Sequence, residues 1–116
     1  MIKNAEGRSM NFGFGIDLED IKLARKLVED LTGLLAQEEF HVDTGGIYYN
    51  FTGPNGEDLT LIRNLDLYDS QPLVSGFDEW PVVLLLSNTD RRSSIVKRLS
   101  GDKRLHLPKG PGAGFE

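Results

Sequence analysis

His41 and His106 are the only histidines in the sequence, and histidine is the side chain that ordinarily titrates near neutrality. A pair of histidines suits acid–base cleavage of RNA without a metal. Lys103 or Lys109 would then stabilise the charge that develops on phosphorus. Nothing in the spacing places the two rings together, and each lies in an alternating stretch where it can face solvent. His41 and Asp43 sit two apart, on one face of a strand, but two ligands fall short of a metal site. Ser93 and Ser94 follow Asp90-Arg91-Arg92 with no nucleophile elbow, and helix capping accounts for them. Gly13-Phe14-Gly15 invites a dinucleotide reading. The third glycine is missing, however, and Asp17 puts an acid where a pyrophosphate would sit. The chain has no cysteine, which rules out a disulfide scaffold, a thiolate metal site and a cysteine nucleophile. No catalytic residue, metal or cofactor is expected.

Charge is sorted along the chain more sharply than the net of −5 implies. Glu57, Asp58, Asp66, Asp69, Asp78, Glu79 and Asp90 oppose only Arg63 in the middle of the sequence. Arg91, Arg92, Lys97, Arg98, Lys103, Arg104 and Lys109 then oppose only Asp102. Arg91 and Arg98 stand seven apart, so a helix would put them on one face. A nucleic-acid surface is disfavoured by the acidic net charge and by the lack of interleaved aromatics. A solvated basic face paired with the protein's own acidic segment fits better.

The acidic segment runs from Asn64 to Trp80 and mixes carboxylates with Tyr68, Phe77 and the only tryptophan. Aromatic anchors ringed by charge are what a protein-binding patch needs. Asp66, Tyr68, Asp69, Asp78, Glu79 and Trp80 are therefore the candidate partner-binding residues, with Asp58 on the strand before them. The competing reading makes Phe77 and Trp80 plugs of the core, with the acids merely solvating a long loop.

The elements that must hold these residues follow from periodicity. Phe12, Phe14 and Ile16 alternate as in a strand over 11–16. Asp17 is expected to cap a helix whose buried stripe is Ile21, Ala24, Leu27, Val28, Leu31 and Leu35, with Gly33 as its stop. Residues 34–42 lead to a turn at 43–46, then a strand at 47–52. Gly53-Pro54-Asn55-Gly56 predicts a hairpin turn into a return strand at 59–64. Residues 65–80 have no period and read as a long connection. The apolar run 81–87 predicts a central strand, covered on at least one face. Asp90 is expected to cap a helix over 91–99 with Ile95, Val96 and Leu99 inward, before a short strand at 104–107.

This order predicts an α+β fold: a two-layer sandwich, ferredoxin-like or related, with two helices on one face of a mainly antiparallel sheet. One domain over 10–107 is expected, between flexible ends at 1–9 and 108–116. At 116 residues, 39% hydrophobic and 27% charged, the chain suits one folded core. Its best apolar run, Val82 to Leu86, is far short of the roughly 18 residues of a membrane span. Lys3, Glu6 and Arg8 have no apolar stretch behind them, so no secretory signal is read and a cytoplasmic location is expected.

Three stretches carry a resemblance. They are Leu61-Ile62-Arg63-Asn64-Leu65-Asp66, then Phe77-Asp78-Glu79-Trp80-Pro81 leading into Val82-Val83-Leu84-Leu85-Leu86, then Ser87-Asn88-Thr89-Asp90-Arg91. In layout, over residues 10–105, the chain resembles small bacterial toxin-immunity proteins, with those of contact-dependent growth inhibition the nearest comparison. The resemblance implies a cytosolic, non-enzymatic inhibitor that binds one toxin domain, often a basic nuclease, by presenting acids to its active-site cleft. A monomer or weak dimer is expected. Two rival readings stay open. One is a small-molecule-binding regulatory domain that uses Gly13, Gly15 and the first helix terminus. The other is a small metal-free ribonuclease that uses His41 and His106.

Overall fold

Val82, Leu84 and Leu86 point one way along their strand, and Val83 and Leu85 point the other. Both sets are covered, so this sheet has two dry faces of unequal size. The computed structural model describes residues 10–74, 76–89 and 92–107, and the expected flexible ends at 1–9 and 108–116 fall outside them. The elements are β1 (Met10–Ile16), α1 (Ile21–Thr32), β2 (Gln37–His41), a 3-10 turn (Val42–Thr44), β3 (Gly46–Thr52), β4 (Asp58–Arg63), β5 (Val82–Thr89), α2 (Ser94–Ser100) and β6 (Leu105–His106).

The sheet order is β2-β3-β4-β5-β1-β6, and every pairing is antiparallel. β1 and β2 therefore run parallel, four antiparallel steps apart, and α1 bridges them. β5 and β6 also run parallel, with β1 between them, and α2 bridges those. These are two split β-α-β units, the ferredoxin-like arrangement, lengthened by the β3–β4 hairpin. The α+β sandwich expected from the element order is what forms.

Both helices pack on one face. Ile21, Ala24, Leu27 and Val28 of α1 and Ile95, Val96 and Leu99 of α2 meet Phe14, Ile16, Tyr49, Phe51, Leu59, Leu61 and Leu84. The 3.6-residue period of the helices and the two-residue period of the strands converge on this core. The Tyr49 ring is buried here under the Arg25 guanidinium, 5.6 Å from its centroid. Burial, with the Glu38 carboxylate beside it, pushes the Tyr49 phenol above its ordinary pKa.

Three local expectations are corrected. The cap of α1 is Asp20, which accepts from the Lys22 N–H at 2.8 Å, and not Asp17. Asp17 still belongs to the sheet end: its N–H donates to the Arg104 carbonyl at 3.2 Å. The helix also stops at Thr32, capped by Gly33 at φ 74°, so Leu35 lies beyond it and is exposed. Ser93 caps α2, accepting from the Val96 N–H at 3.2 Å, and the expected cap Asp90 lies outside the described residues.

The glycines of β1 find their reason on the second face. A Cβ on Gly13 would lie 3.2 Å from the Phe77 ring, and one on Gly15 would run into the Trp80 ring. Gly15→Val should therefore lower stability by about 2 kcal/mol or more, by overpacking. A urea melt reads this, and adding Trp80→Ala should recover part of the loss, because touching residues couple. A neutral Gly15→Val would show that the indole does not rest there.

Candidate protein-contact site

Asn64 sits just past β4 and is buried. Its amide donates to the carbonyls of Phe77 at 2.8 Å and Trp80 at 3.1 Å, and its Oδ1 accepts from the N–H groups of Leu73 at 2.8 Å and Val74 at 2.9 Å. One side chain at the end of β4 thus ties down the returning arm of the 65–81 connection. Phe77 is driven, fully buried, onto Ile62 and Val83, with Leu73, Val74, Tyr48 and Leu85 around them. Trp80 lies over Gly15 and stacks on His106, ring centroids 4.4 Å apart and planes 7° from parallel.

The tip of the connection is a small closed loop. Asp66 N–H donates to the Gln71 carbonyl at 2.8 Å, and Ser70 N–H donates to the Asp66 carbonyl at 2.9 Å. The Asp66 carboxylate accepts from Tyr68 N–H, and that of Asp69 from Gln71 N–H, at 2.8 and 2.9 Å. Ser70 closes the tip at φ 62°, in the left-handed region. The tip holds Leu67 and Tyr68 out into solvent, 47% and 77% exposed.

Beside the tip is the sheet edge. A Cβ on Gly46 would lie 3.8 Å from the Phe40 ring and 3.9 Å from a Leu67 methyl, so these two side chains converge over bare backbone. Phe40 is 68% exposed, and Val42, two residues on, is also exposed. Glu38, Glu39, Asp43, Asp66 and Asp69 flank this apolar surface in the chain. Glu38 is steadied by the Tyr49 hydroxyl, which donates to it at 3.3 Å.

The structure brings Asp66, Tyr68 and Asp69 together at this tip. It does not gather the other candidates with them. Asp58 opens β4 next to the hairpin, and the connection leaves from the strand's other end, about 17 Å away at strand rise. Asp78 and Glu79 are exposed, on the β1 side of the connection near Trp80. Trp80 itself is half-buried against Gly15 and His106, which fits a plug of the second face better than a free anchor. Phe40, Val42 and Leu67 were not singled out by the sequence. The signal for Leu67 was its place between Asp66 and Tyr68, while Phe40 only looked like one more alternating strand residue.

Among the described residues, the other chemistries find no assembled site. His41 is on β2 and His106 on β6, the opposite edges of six strands, about 24 Å apart at ordinary strand spacing. His41 instead caps the 3-10 turn, accepting from Asp43 N–H at 3.1 Å. Asp43 belongs to that turn and not to a strand face. No three potential metal ligands cluster among the described residues. Gly13 and Gly15 are covered by Phe77 and Trp80, leaving no room there for a small molecule. A hollow of about 480 Å³ does lie at the β6 edge, lined by Phe14, Trp80, Ser100, Leu105, His106 and Leu107. The basic segment shows a local pairing, Arg104 to Asp102 at 2.9 Å, and that guanidinium holds the Asp102 carboxyl below its ordinary pKa. α2 packs on the helical face, while the acidic connection covers the other. No helix among the described residues is long and apolar enough to cross a membrane. The chain matches no protein-family model and no curated protein.

Proposed function

We propose that this chain acts by contact: a non-enzymatic inhibitor, of the immunity type, that binds a basic protein such as a cognate bacterial toxin in the cytoplasm. The observation that carries the reading is the tip at 66–71. Its own hydrogen bonds hold Leu67 and Tyr68 out in solvent, beside Phe40 and among carboxylates. An exposed tyrosine on a prefolded loop buries area on binding at little cost in ordering. The acids would steer a basic partner and speed its association.

The test uses the purified product of the neighbouring reading frame, with affinity read by calorimetry and rates by surface capture. Tyr68→Ala should weaken binding by about 30-fold or more, as for a central aromatic anchor. Asp66→Asn with Asp69→Asn should slow association about tenfold and flatten its salt dependence, with the melt unchanged. Asparagine is chosen because it keeps the side-chain oxygen that each turn needs. Unchanged affinity in Tyr68→Ala would remove the tip from the interface.

A small-molecule reading keeps one observation, the aromatic-lined hollow at the β6 edge. It is the weaker of the two, because the hollow lies at the β6 edge and not at Gly13, Gly15 and the first helix terminus, which that reading requires.

A further inference from the structure

We propose that the partner enters this site as an extended strand rich in lysine or arginine, which adds to the outer edge of β2. This rests on the protein-contact reading above and specifies its mode.

β2 ends the sheet on one side, and among the described residues no strand lies outside it. Which of its backbone groups face outward follows from the register. Gly53 N–H donates to the Glu57 carbonyl at 2.8 Å, so that pair is hydrogen-bonded across β3 and β4. Backbone groups alternate sides along a regular strand. Counting back by twos, Phe51, Tyr49 and Ile47 turn theirs toward β4, and Asn50, Tyr48 and Gly46 turn theirs toward β2. Gln37, Glu39 and His41 pair with those three residues. Glu38 and Phe40 therefore turn their N–H and C=O groups outward, where an added strand would meet them. The opposite edge, β6, has two residues, too short for the same use.

Charge selects the occupant. A second copy laid antiparallel with full overlap would put Glu39 against Glu39 and Glu38 beside Phe40, which sets like charges opposite one another. The same glutamates guard the edge against self-pairing. A strand carrying lysine or arginine opposite Glu39 meets opposite charge there, while Glu38 shares the Phe40 face and Asp66 and Asp69 flank Leu67 in the chain. Its apolar residues would cover Phe40 and Leu67 where they converge over Gly46.

The test is a titration of the 15N-labelled protein with a capped hexapeptide alternating lysine and valine. The same peptide, N-methylated at every second residue, is the control. Near saturation the amides of Glu38 and Phe40 should move downfield and exchange with water about tenfold more slowly, and N-methylation on the pairing side should abolish both effects. Shifts confined to 66–70, with the β2 amides unmoved, would overturn strand addition and leave the acidic contact surface standing. Equal binding by the N-methylated peptide would overturn it as well. So would protection of Glu38 and Phe40 that rises with protein concentration before peptide is added, which would identify a second copy as the occupant. No shift anywhere at millimolar peptide would count against both strand addition and the acid-led contact.

Discussion

Phe77→Ala should lower the free energy of unfolding by about 3–5 kcal/mol, the range for emptying a well-packed aromatic site. The ring is fully buried among Ile62, Val83 and their neighbours on the sheet face opposite the helices. Relaxation cannot refill the space cheaply. Gly13 lies directly beneath the ring and has no side chain to move into the gap. The flanking Val74 and Trp80 are fixed through the bonds of Asn64, which hold Val74 N–H and the Trp80 carbonyl. Trp80 is the only tryptophan, so its emission reports the 65–81 connection, while far-UV circular dichroism reports the helices and sheet. In Phe77→Ala the fluorescence transition should move to lower urea than the dichroism transition, because the second face loosens before the helical core opens. Tyr68→Ala, at a residue 77% exposed, should stay within about 0.5 kcal/mol of the parent by the same measurement. A Phe77→Ala loss below about 1 kcal/mol, with the two transitions coincident, would show that the ring does not hold the connection to the sheet.

How much of this was legible in the sequence differs by element. The stripe Ile21, Ala24, Leu27, Val28 predicts α1 because its burial depends only on residues three and four apart. Its cap is less legible, since Asp17 and Asp20 are both acids before the same apolar run. Tertiary contacts decide between them: Leu18 packs on the core and Asp17 stays bonded to the lead into β6. The glycines of β1 read locally as weakness in a strand. Their role depends on Phe77 and Trp80, more than sixty residues away, which no local pattern encodes. The candidate site was half legible for the same reason. Asp66, Tyr68 and Asp69 belong to one turn and were found together. Asp58 was adjacent only in the chain, and Phe40 comes beside Leu67 only because β3 separates β4 from β2 in the sheet.

Asn64→Ala should cost about 2–4 kcal/mol and should also weaken partner binding, although Asn64 is buried and cannot touch a partner. Its four hydrogen bonds go to backbone groups on the returning arm of the connection, from Leu73 to Trp80. Each removed bond is worth about 1 kcal/mol, and groups left buried without a partner add to the loss. The Phe77 carbonyl keeps one donor, the Trp80 N–H at 2.9 Å, so the loss falls on the Trp80 carbonyl and on the N–H groups of Leu73 and Val74, all on half-buried residues. Asn64→Asp separates the two directions of bonding. It keeps the acceptor for Leu73 and Val74, but it sets a carboxylate against the carbonyls of Phe77 and Trp80. It should therefore destabilise at least as much as alanine, unless the carboxyl takes up a proton. The binding effect follows from ordering. The bonds between Asp66, Ser70 and Gln71 do not involve Asn64, so the tip keeps its local shape in Asn64→Ala. What it loses is its fixed position beside Phe40. The partner must then restore that order on binding, which should reduce affinity by about tenfold through dissociation and through the fraction of competent tips. Parent-like affinity in a destabilised Asn64→Ala would show that the tip is recognised alone, without the β2 edge beside it.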